Sequence, residues 1–431
     1  MLDLKMIRAE TDLVRAALRA KGAQVDLDRL LGLDMERRDL IAETEALKHE
    51  RNAVSKEIGD RKRRGEDSSE RMERMRVVGE TIAALDERLK GIDSAIDELL
   101  SWIPNVPHAS VPAGQTPSDN VVVRVEGAPP EFDFTPQNHV ELGEKLGILD
   151  PLRAAKLSGS GFSLLYGMGA RLGRALLTYM LDLHTGTHGY QEVWAPYLVK
   201  PSCLFGTGQL PKLREDMYYV NGDDQYLIPT AEVPITNLYA EETLAEEDLP
   251  RKHVGYTACF RREAGAAGRE TRGLLRLHQF DKVELVKFAH PDRSYEEHET
   301  LLADAETVLR NLGLHYRVVA LCSGDLSFAA AKCYDLEVWA PGEGKWLEVS
   351  SCSNFEDFQA RRLGIRMRPA AGGKSRLVHT LNASGVALPR LLVAILEHYQ
   401  TRTGAVRVPE VVRPYMGGAS EFGPVAPAAP R

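Results

Sequence analysis

Hydrophobic residues recur at helical spacing over the first hundred positions of the chain. Late in this region the apolar positions advance by steps of three and four without a break, as in a coiled-coil seam. These positions are Met75, Val78, Ile82, Leu85, Leu89, Ile92, Ile96 and Leu99. A looser apolar series precedes them at Leu40, Leu47, Val54 and Ile58. The charged segment 59–71 separates the two series and predicts an antiparallel helical hairpin whose arms, about 28 residues each, reach roughly 40 Å.

After this hairpin the pattern changes to short segments of both kinds. Helical periodicity returns at 170–183, 295–312 and 385–401. Strand-like segments lie between them, at Gln191–Trp194, Met217–Val220, Tyr226–Ile228, His253–Arg261, Gln279–Phe288, Tyr334–Trp339 and Lys345–Ser350. Because helices are separated from runs of strands rather than alternating with them, the pattern favours an α+β fold with an antiparallel sheet.

Changes in composition divide the chain into four parts. Residues 1–105 form an N-terminal domain that contains the helical hairpin. Residues 106–136 are rich in Pro, Gly, Ser and Asn and predict a linker. Residues 137–416 form a second domain, and residues 417–431 predict a disordered tail.

Size, charge and cysteine content narrow the classes of protein that this chain can be. Its 431 residues are enough for two domains with a sizeable core. The formal net charge is −8, so a polyanion would have to bind at local basic patches. The five scattered cysteines form no CxxC pair, which predicts reduced thiols and no structural zinc. We expect a cytoplasmic protein with no membrane partner, because neither a bilayer-spanning run nor a signal-peptide core is present.

The segment from Phe260 to Glu284 carries more ionisable groups than the base of a hairpin needs. If Gln279–Phe288 is a strand, its alternation places Phe280, Lys282 and Glu284 on one face. An aromatic ring and a carboxylate would then share a surface with an arginine of the partner strand. This arrangement suits a ligand that has a flat base, a phosphate and an amine. The alternative is an exposed hairpin stabilised by surface ion pairs.

Basic residues crowd toward the tip of the predicted helical hairpin. They are Lys56, Arg61, Lys62, Arg63 and Arg64. One hypothesis is binding of a polyanion, which would weaken steeply with salt. The alternative is a solvated helix face of mixed charge, since acidic residues are also frequent here.

Three polar clusters stand where strand-like segments give way to other structure. Residues 230–232 (TAE) could hold a small polar ligand, or could simply cap a helix. Glu348 and the hydroxyls of Ser350, Ser351 and Ser353 offer hard oxygen ligands suited to magnesium with phosphate, or could form an ordinary turn. Arg390 begins a predicted helix, where a cation opposes the helix dipole, so it serves a ligand or a surface ion pair. No P-loop, zincin, hydrolase or Rossmann motif is present.

Eight ordered motifs give the chain a family resemblance. They are GTGQLPK (206–212), TAE (230–232), FRREAG (260–265), RGLLRLHQFDKVE (272–284), YDLEVW (334–339), SSCSNFEDFQARR (350–362), HTLN (379–382) and RPYMGG (413–418). In this order they resemble the bacterial-type seryl-tRNA synthetases, which are class II aminoacyl-tRNA synthetases. The resemblance implies a class II catalytic domain at 137–416 and a tRNA-binding arm within 1–105. GYQEVWAP (189–196) is similar to the first class II motif, which implies a homodimer.

The same resemblance implies roles for individual residues. Catalysis is expected at Arg261, Glu284 and Arg390. Serine contacts are expected at Thr230, Ala231, Glu232, Arg261, Glu284 and Ser384. ATP contacts are expected at Arg261, Arg262, Glu263, Phe280, Glu348, Val349, Ser350, Ser351 and Arg390. Magnesium contacts are expected at Glu348 and Ser351, and tRNA contacts at Lys56, Arg61, Lys62, Arg63 and Arg64.

The expected cofactor is Mg²⁺ with ATP, and the expected partners are L-serine, ATP and serine tRNA with its long variable arm. Selenocysteine tRNA would be a second acceptor where it is present. Glu348 and Ser351 point to opposite faces of a regular strand, so joint contact with a metal requires a bulge or a strand end. Two alternatives stay open from the sequence: a paralogue that charges a carrier protein or another amino acid, and a non-catalytic RNA-binding paralogue.

Overall fold

The computed structural model describes residues 1–264 and 272–424. The chain divides into two compact units, Met1–Pro104 and Asn105–Arg431. No helix in the described part of the chain combines the length and the apolar character needed to cross a bilayer.

The N-terminal unit is entirely helical. Its helices are α1 (Leu4–Ala9), α2 (Thr11–Ala20), α3 (Leu27–Arg63) and α4 (Ser69–Ser101). The side chain of Asp26 caps α3 by accepting a hydrogen bond from the amide of Arg29, at 2.9 Å. Helices α3 and α4 confirm the predicted hairpin. They contain 37 and 33 residues and so extend about 50–55 Å, further than the pattern of apolar residues indicates.

The two long helices pack along a single apolar stripe. Ile82, Ile92 and Ile96 of α4 are buried, whereas Met75 and Val78, nearer the tip, are partly exposed. Ion pairs between the helices fix their antiparallel register, with Arg37 Nε 2.5 Å from Asp93 Oδ1 and Lys48 Nζ 3.1 Å from Asp86 Oδ1. These pairs are partly solvated, so each adds little stability.

The second unit combines strands with flanking helices. Its strands are β1 (Val121–Glu126), β2 (Gln191–Glu192), β3 (Leu198–Val199), β4 (Tyr219–Val220), β5 (Gln225–Leu227), β6 (Thr243–Ala245), β7 (Arg251–Phe260), β8 (Gln279–Ala289), β9 (Tyr316–Ala320), β10 (Lys332–Ala340), β11 (Lys345–Asn354), β12 (Arg366–Arg368), β13 (Arg376–Leu377), β14 (His379–Ala387), β15 (Val406–Arg407) and β16 (Glu421–Phe422). Its helices are α5 (His139–Lys145), α6 (Pro151–Ser158), α7 (Gly167–Gly186), α8 (Pro201–Thr207), α9 (Glu232–Thr236), α10 (Ser294–Asn311), α11 (Phe358–Leu363) and α12 (Leu388–His398).

Eight of the described strands form one large sheet in the order β1-β9-β10-β11-β14-β8-β7-β2. Neighbours pair antiparallel, apart from the parallel pair β2–β7 at one edge. The predicted antiparallel α+β fold is therefore confirmed. Helices α7, α10 and α12 contribute to the main apolar core, where Leu285 and Leu381 of the sheet are fully buried. The opposite face of β8 contributes Val286 and Phe288 to a second apolar cluster, with Ala231 of the segment leading into α9.

Some boundaries differ from those that the sequence predicts. Strand β1, within the predicted linker, pairs with β9 as an edge of the large sheet, so 106–136 is not purely a connection. The predicted helix 385–401 begins only at Leu388, because residues 379–387 form strand β14. Strand β16 pairs with β15, so ordered structure extends into the predicted tail, and 425–431 lies outside the described residues. Tertiary pairing overrides local composition in all three cases.

Candidate active site

A cavity of about 700 Å³ opens over one face of the large sheet. The hairpin β7–β8, the strands β10, β11 and β14 and the starts of α9 and α12 supply its lining. Predicted site residues that line it are Thr230, Glu232, Arg261, Glu263, Phe280, Glu284, Glu348, Val349, Ser351, Ser384 and Arg390. Residues that are distant in sequence therefore meet at one site, as the pattern of motifs predicts.

Two buried carboxylates lie at the deep end of this cavity. Glu232 and Glu284 are joined by Asn382, whose Nδ2 lies 2.9 Å from Glu232 Oε2 and 3.2 Å from Glu284 Oε1. Lys282 Nζ lies 2.5 Å from Glu284 Oε2. The alternation along β8 explains this placement, because Phe280, Lys282 and Glu284 all face the cavity. One ammonium group thus offsets part of the charge of two carboxylates.

Burial perturbs the titration of Glu232. The pKa of Glu232 is raised from the ordinary 4.5 to about 7. The main cause is loss of water around the carboxylate, and the second is repulsion from Glu284. Gln359 opposes this shift by donating to Glu232 Oε1 at 2.7 Å. Gln359 is itself held by Thr380, whose hydroxyl donates to Gln359 Oε1 at 2.7 Å. The carboxylates at the deep end of the cavity can therefore bind a cation or accept hydrogen bonds from a ligand.

Next to the carboxylates, an arginine lies over an aromatic ring. The guanidinium of Arg261 is 5.1 Å from the centre of the Phe280 ring, and its Nε donates to the carbonyl of Pro229 at 3.4 Å. Glu263 has φ of 53° and accepts from Arg276 Nη1 at 2.8 Å. The hairpin β7–β8 positions all of these side chains. The exposed, ion-paired surface considered as an alternative is excluded for Phe280 and Glu284, which face the cavity.

The open end of the cavity contains oxygen donors and a second arginine. The register between β10 and β11 shifts at Val349, which forms a β-bulge. Contact of Glu348 and Ser351 with one metal ion requires such a bulge. Both residues consequently line the same cavity. Arg390, in the first turn of α12, donates through Nη1 to the carbonyl of Glu348 at 2.6 Å and lies 3.3 Å from its Oε2.

Three of the residues predicted to contact serine or ATP do not line the cavity. Ala231 is buried in the apolar cluster that contains Phe288, so its side chain supports α9 rather than the cavity. Arg262 is exposed, and its amide donates to the carbonyl of Asp216 at 2.8 Å. Ser350 is buried and donates to the carbonyl of Ser384 at 2.5 Å, so it connects β11 to β14.

Several residues that complete the site are not among those predicted from the sequence. Asn382 bridges the two carboxylates, and its Oδ1 is buried without a hydrogen-bond partner among the described residues. Asp335 lines the cavity beside Ser351, its cross-strand neighbour, and burial followed by repulsion from Glu348 raises its pKa. Asn382 and Asp335 occur in the HTLN and YDLEVW motifs, but a single sequence does not show which strands will be adjacent.

The basic residues at the tip of the helical hairpin are only partly available for a ligand. Arg61 Nε lies 3.2 Å from Glu66 Oε2, and Arg63 Nη2 lies 3.4 Å from Asp60 Oδ1. Arg64 also pairs with Glu66, at 3.6 Å, whereas Lys56 and Lys62 are exposed. The tip therefore combines the two alternatives, with local ion pairs and outward-facing cations.

Comparison with known proteins identifies the family. The N-terminal domain model of seryl-tRNA synthetases matches residues 1–107, and the class II core-domain model for G, H, P, S and T synthetases matches residues 217–399. The serine–tRNA ligase of Caldanaerobacter subterraneus subsp. tengcongensis is 56% identical over 416 residues, covering 96% of this chain and 98% of that protein. The chain belongs to the seryl-tRNA synthetases.

Solved structures of the family extend the similarity to nearly the whole fold. A Pyrococcus horikoshii seryl-tRNA synthetase complexed with ATP superposes with a TM-score of 0.93 at 40% identity, covering 99% of this chain and 100% of that one. A cytoplasmic serine–tRNA ligase from Naegleria fowleri in complex with AMP gives 0.87 at 30% identity, with coverages of 98% and 99%. The class II core and the N-terminal helical domain that the sequence motifs imply are therefore present.

The raised pKa of Glu232 predicts how the stability of the protein depends on pH. The unfolded chain releases this proton near pH 4.5 and the folded protein near pH 7. The folded state binds the proton more tightly, so its free energy of unfolding decreases as the pH rises through this window, by an amount on the order of 3 kcal/mol. Glu232→Gln should remove this decrease in urea unfolding measured between pH 4.5 and pH 8.

A matched control is Glu296→Gln, which changes an exposed glutamate of α10 in the same unit. The control should retain the pH dependence of the wild-type protein. If Glu232→Gln retains it too, the shifted titration does not belong to Glu232.

Proposed function

We propose that this chain is a serine–tRNA ligase, which activates L-serine with ATP to seryl-adenylate and transfers the seryl group to the 3′ end of serine tRNA. The observation that carries the proposal is the set of groups that line one cavity. Buried Glu232 and Glu284 share it with Arg261 and Phe280 and with the more exposed Glu348, Ser351 and Arg390. An amino acid joined to a nucleotide has groups that match each of these sets.

The deep end is assigned to serine. Glu284 and Glu232 accept hydrogen bonds from the ammonium group, which both carboxylates attract electrostatically. Asn382 Oδ1 and the hydroxyls of Thr230 and Ser384 are available to bond the serine hydroxyl. A site built to bond a hydroxyl rejects the analogue that lacks it by roughly 10⁴–10⁵. Alanine is then excluded without editing, and threonine is excluded by the space that its additional methyl needs.

The remainder of the cavity is assigned to ATP. Phe280 offers a ring for stacking the adenine, and Glu263 faces the same end of the nucleotide. Arg261 presents a planar fork that can contact the serine carboxylate and the α-phosphate together. Arg390 is assigned to the γ-phosphate. Phosphate is favoured at a helix N-terminus, which is why an arginine that binds phosphate lies at the start of α12.

The oxygen donors at the bulge of β11 fit magnesium. A carboxylate and a hydroxyl on one side of a strand are the hard ligands that Mg²⁺ takes together with phosphate oxygens. Glu348 and Ser351 would hold the ion, and Asp335 lies close enough to Ser351 to orient its hydroxyl. When bound, the ion would offset charge on the triphosphate.

Catalysis in this proposal consists of positioning and charge stabilisation. The serine carboxylate attacks the α-phosphate in line, the bond to pyrophosphate breaks, and a mixed anhydride with AMP forms. Arg261 aligns the two reacting groups and stabilises charge that develops on the α-phosphate. In the second step the terminal ribose hydroxyl of tRNA attacks the seryl carbonyl and AMP leaves.

The helical hairpin of the N-terminal unit is assigned to tRNA. Exposed Lys56 and Lys62 and the partly paired Arg61, Arg63 and Arg64 form a basic tip on a long, thin support. Such a tip suits the phosphates of the long variable arm of serine tRNA, and of selenocysteine tRNA where it is present. A cytoplasmic location belongs to the same proposal, because tRNA charging serves translation there.

The edge of the sheet at β2 is assigned to a homodimer contact. Trp194, two residues after β2, is 80% exposed, which is unusual for a large aromatic side chain. An apolar groove beside α7 is lined by Leu177, Leu181 and Leu388 and offers a second apolar surface for such a contact. A second copy of the chain is the occupant that the first class II motif implies.

Amino-acid-dependent ATP–pyrophosphate exchange tests the proposed activation step. Serine should support exchange far better than threonine, cysteine or alanine. Arg261→Ala should lower kcat/KM by about 10²–10³, because a donor to the developing charge is lost. Arg261→Lys, the matched control for charge, should restore only part of it, since lysine lacks the bidentate fork. The proposal fails if no amino acid supports exchange, and the role of Arg261 fails if Arg261→Ala exchanges normally.

Shortening the helical hairpin tests its assignment to tRNA. Replacing residues 45–84 by a short Gly-Ser turn removes the tip and keeps the base with its Arg37–Asp93 ion pair. Charging of tRNA should fall by about 100-fold or more, because the phosphate contacts are lost. Serine-dependent ATP–pyrophosphate exchange should stay within about twofold of the wild-type rate. As a milder control, Lys56→Gln with Lys62→Gln should reduce the salt dependence of charging. Undiminished charging by the shortened protein would disprove the assignment.

Sedimentation equilibrium tests the homodimer contact. Trp194→Ala should weaken self-association by about 2 kcal/mol, or about 30-fold in the dissociation constant, if Trp194 is a central contact. Val123→Ala is the control, because β1 lies at the opposite edge of the sheet and Val123 is also exposed. Equal effects of the two variants, or a monomeric wild-type protein, would contradict the contact.

A further inference from the structure

A fully buried histidine connects the C-terminal part of α12 to the segment that leads into β8. His139, the first residue of α5, accepts a hydrogen bond at Nε2 from the amide of Leu274, at 3.1 Å. Its Nδ1 lies 3.3 Å from Glu397 Oε1 and 3.1 Å from Glu343 Oε1. Its own amide also donates to Glu397 Oε1, at 2.9 Å. Neither the motifs nor the proposed reaction assigns a role to this cluster.

The hydrogen bonds define the tautomer of His139. Because the Leu274 amide donates to Nε2, that nitrogen is unprotonated and the ring proton is on Nδ1, where it is shared between the two carboxylates. A metal ion at Nδ1 would require both ring nitrogens to act as electron-pair donors at once. Although one imidazole and two carboxylates lie close enough together to suit a cation, a proton therefore explains the cluster better.

Glu397 is held rigidly on its other side. Its Oε2 accepts from the amides of Gly342 and Glu343, at 2.8 and 3.1 Å. A carboxylate with this many donors is fixed in position, and it fixes the imidazole in turn.

The approach of His139 to the chain depends on a glycine. Gly273 has φ of +65°, a left-handed conformation that favours glycine. A Cβ at this position would lie 2.2 Å from Nε2 of His139, which is far inside contact distance. The backbone at 273–274 is thus shaped to receive the imidazole.

The anchored segment reaches directly into the active site. The carbonyl of Leu275 accepts from Arg390 Nε at 3.4 Å, and Arg276 holds Glu263 through Nη1 at 2.8 Å. Arg390 and Glu397 are both on α12, two turns apart. The contacts therefore form a closed network, which we call the circuit. It runs from Arg390 to Leu275 and then through Leu274 and His139 to Glu397, which lies on the same helix as Arg390.

We propose that His139 is a positioning residue for the nucleotide in the adenylation step. It holds 274–276 against α12, so that Arg390 and the Arg276–Glu263 pair face the two ends of ATP in a single geometry. Serine is bound by β8, β14 and α9, which the circuit does not include. Loss of the anchor should consequently impair use of ATP and spare recognition of serine. This inference rests on the proposed function.

Steady-state pyrophosphate exchange separates the two substrates. His139→Leu should raise the KM for ATP by about tenfold, the size expected for loss of about 1.4 kcal/mol, and leave the KM for serine within about twofold. Gly273→Ala should have the same effect by displacing the same contact. His139→Gln, which keeps one acceptor and one donor, should recover part of the loss.

The control is His298→Leu, which removes another fully buried histidine. The Nε2 of His298 donates to the carbonyl of Cys352 at 2.9 Å, and the residue lies outside the cavity lining. This variant should lower thermal stability comparably without a selective change in the KM for ATP. The positioning role is wrong if His139→Leu raises the KM for ATP and the KM for serine equally. It is also wrong if His298→Leu raises the KM for ATP selectively.

Hydrogen–deuterium exchange supplies a readout that does not depend on catalysis. In the wild-type protein, the amide of Leu274 should exchange slowly, since it donates to a buried imidazole. A peptide covering 272–278 should exchange about tenfold faster in His139→Leu and unchanged in His298→Leu. Equal protection in all three proteins would overturn the anchor. If the wild-type protein lacks serine-dependent ATP–pyrophosphate exchange but its amides show the expected protection, the proposed function is refuted and the anchor stays intact.

Discussion

The architecture of the site depends on burying two like charges next to each other. Glu232 comes from α9 and Glu284 from β8, and neither would occupy this cavity without compensation. Asn382 of β14 bridges them, Lys282 neutralises part of their charge, and Gln359 supports Glu232 from behind. These compensating groups come from separate elements, so the large sheet and its flanking helices have to assemble before the carboxylates can be accommodated. Their shared charge is also what makes the site attractive to an ammonium group.

The remainder of the site follows from strand geometry. The ten-residue pairing of β7 with β8 brings Arg261 over Phe280 and sets which face of β8 lines the cavity. The bulge at Val349 turns Glu348 to the side of Ser351, which a regular strand would not allow. Helix α12 connects the open end of the cavity to the core, since it carries Arg390 at its start and Glu397 near its end. Positioning by backbone register is appropriate for a reaction that needs alignment more than a protein nucleophile.

Residue patterns predicted much of the fold and the site. The apolar series in 75–99 predicted the helical hairpin, because a seam of period 3.5 has few other solutions, and alternation in 279–288 predicted the face shared by Phe280, Lys282 and Glu284. Strand β14 was missed, because its residues resemble the start of the helix that follows. Strand β1 was missed because its neighbours are rich in turn formers. We also expect the loop 264–275 to move when ATP and the tRNA end bind. Its residues 265–271 lie outside the part of the chain that the structure describes, so this stays a prediction.

The sequence by itself determined the antiparallel α+β class, the helical hairpin, the family and eleven of the residues that line the cavity, because these depend on local periodicity and on ordered motifs. Only the tertiary structure decided which distant residues meet. Asn382 contacts two carboxylates that lie 98 and 150 positions away, and His139 contacts Leu274 across 135 positions. The bulge that brings Glu348 and Ser351 to one side depends on a single register shift. Such contacts are set by the packing of whole elements against one another, and no local pattern encodes them.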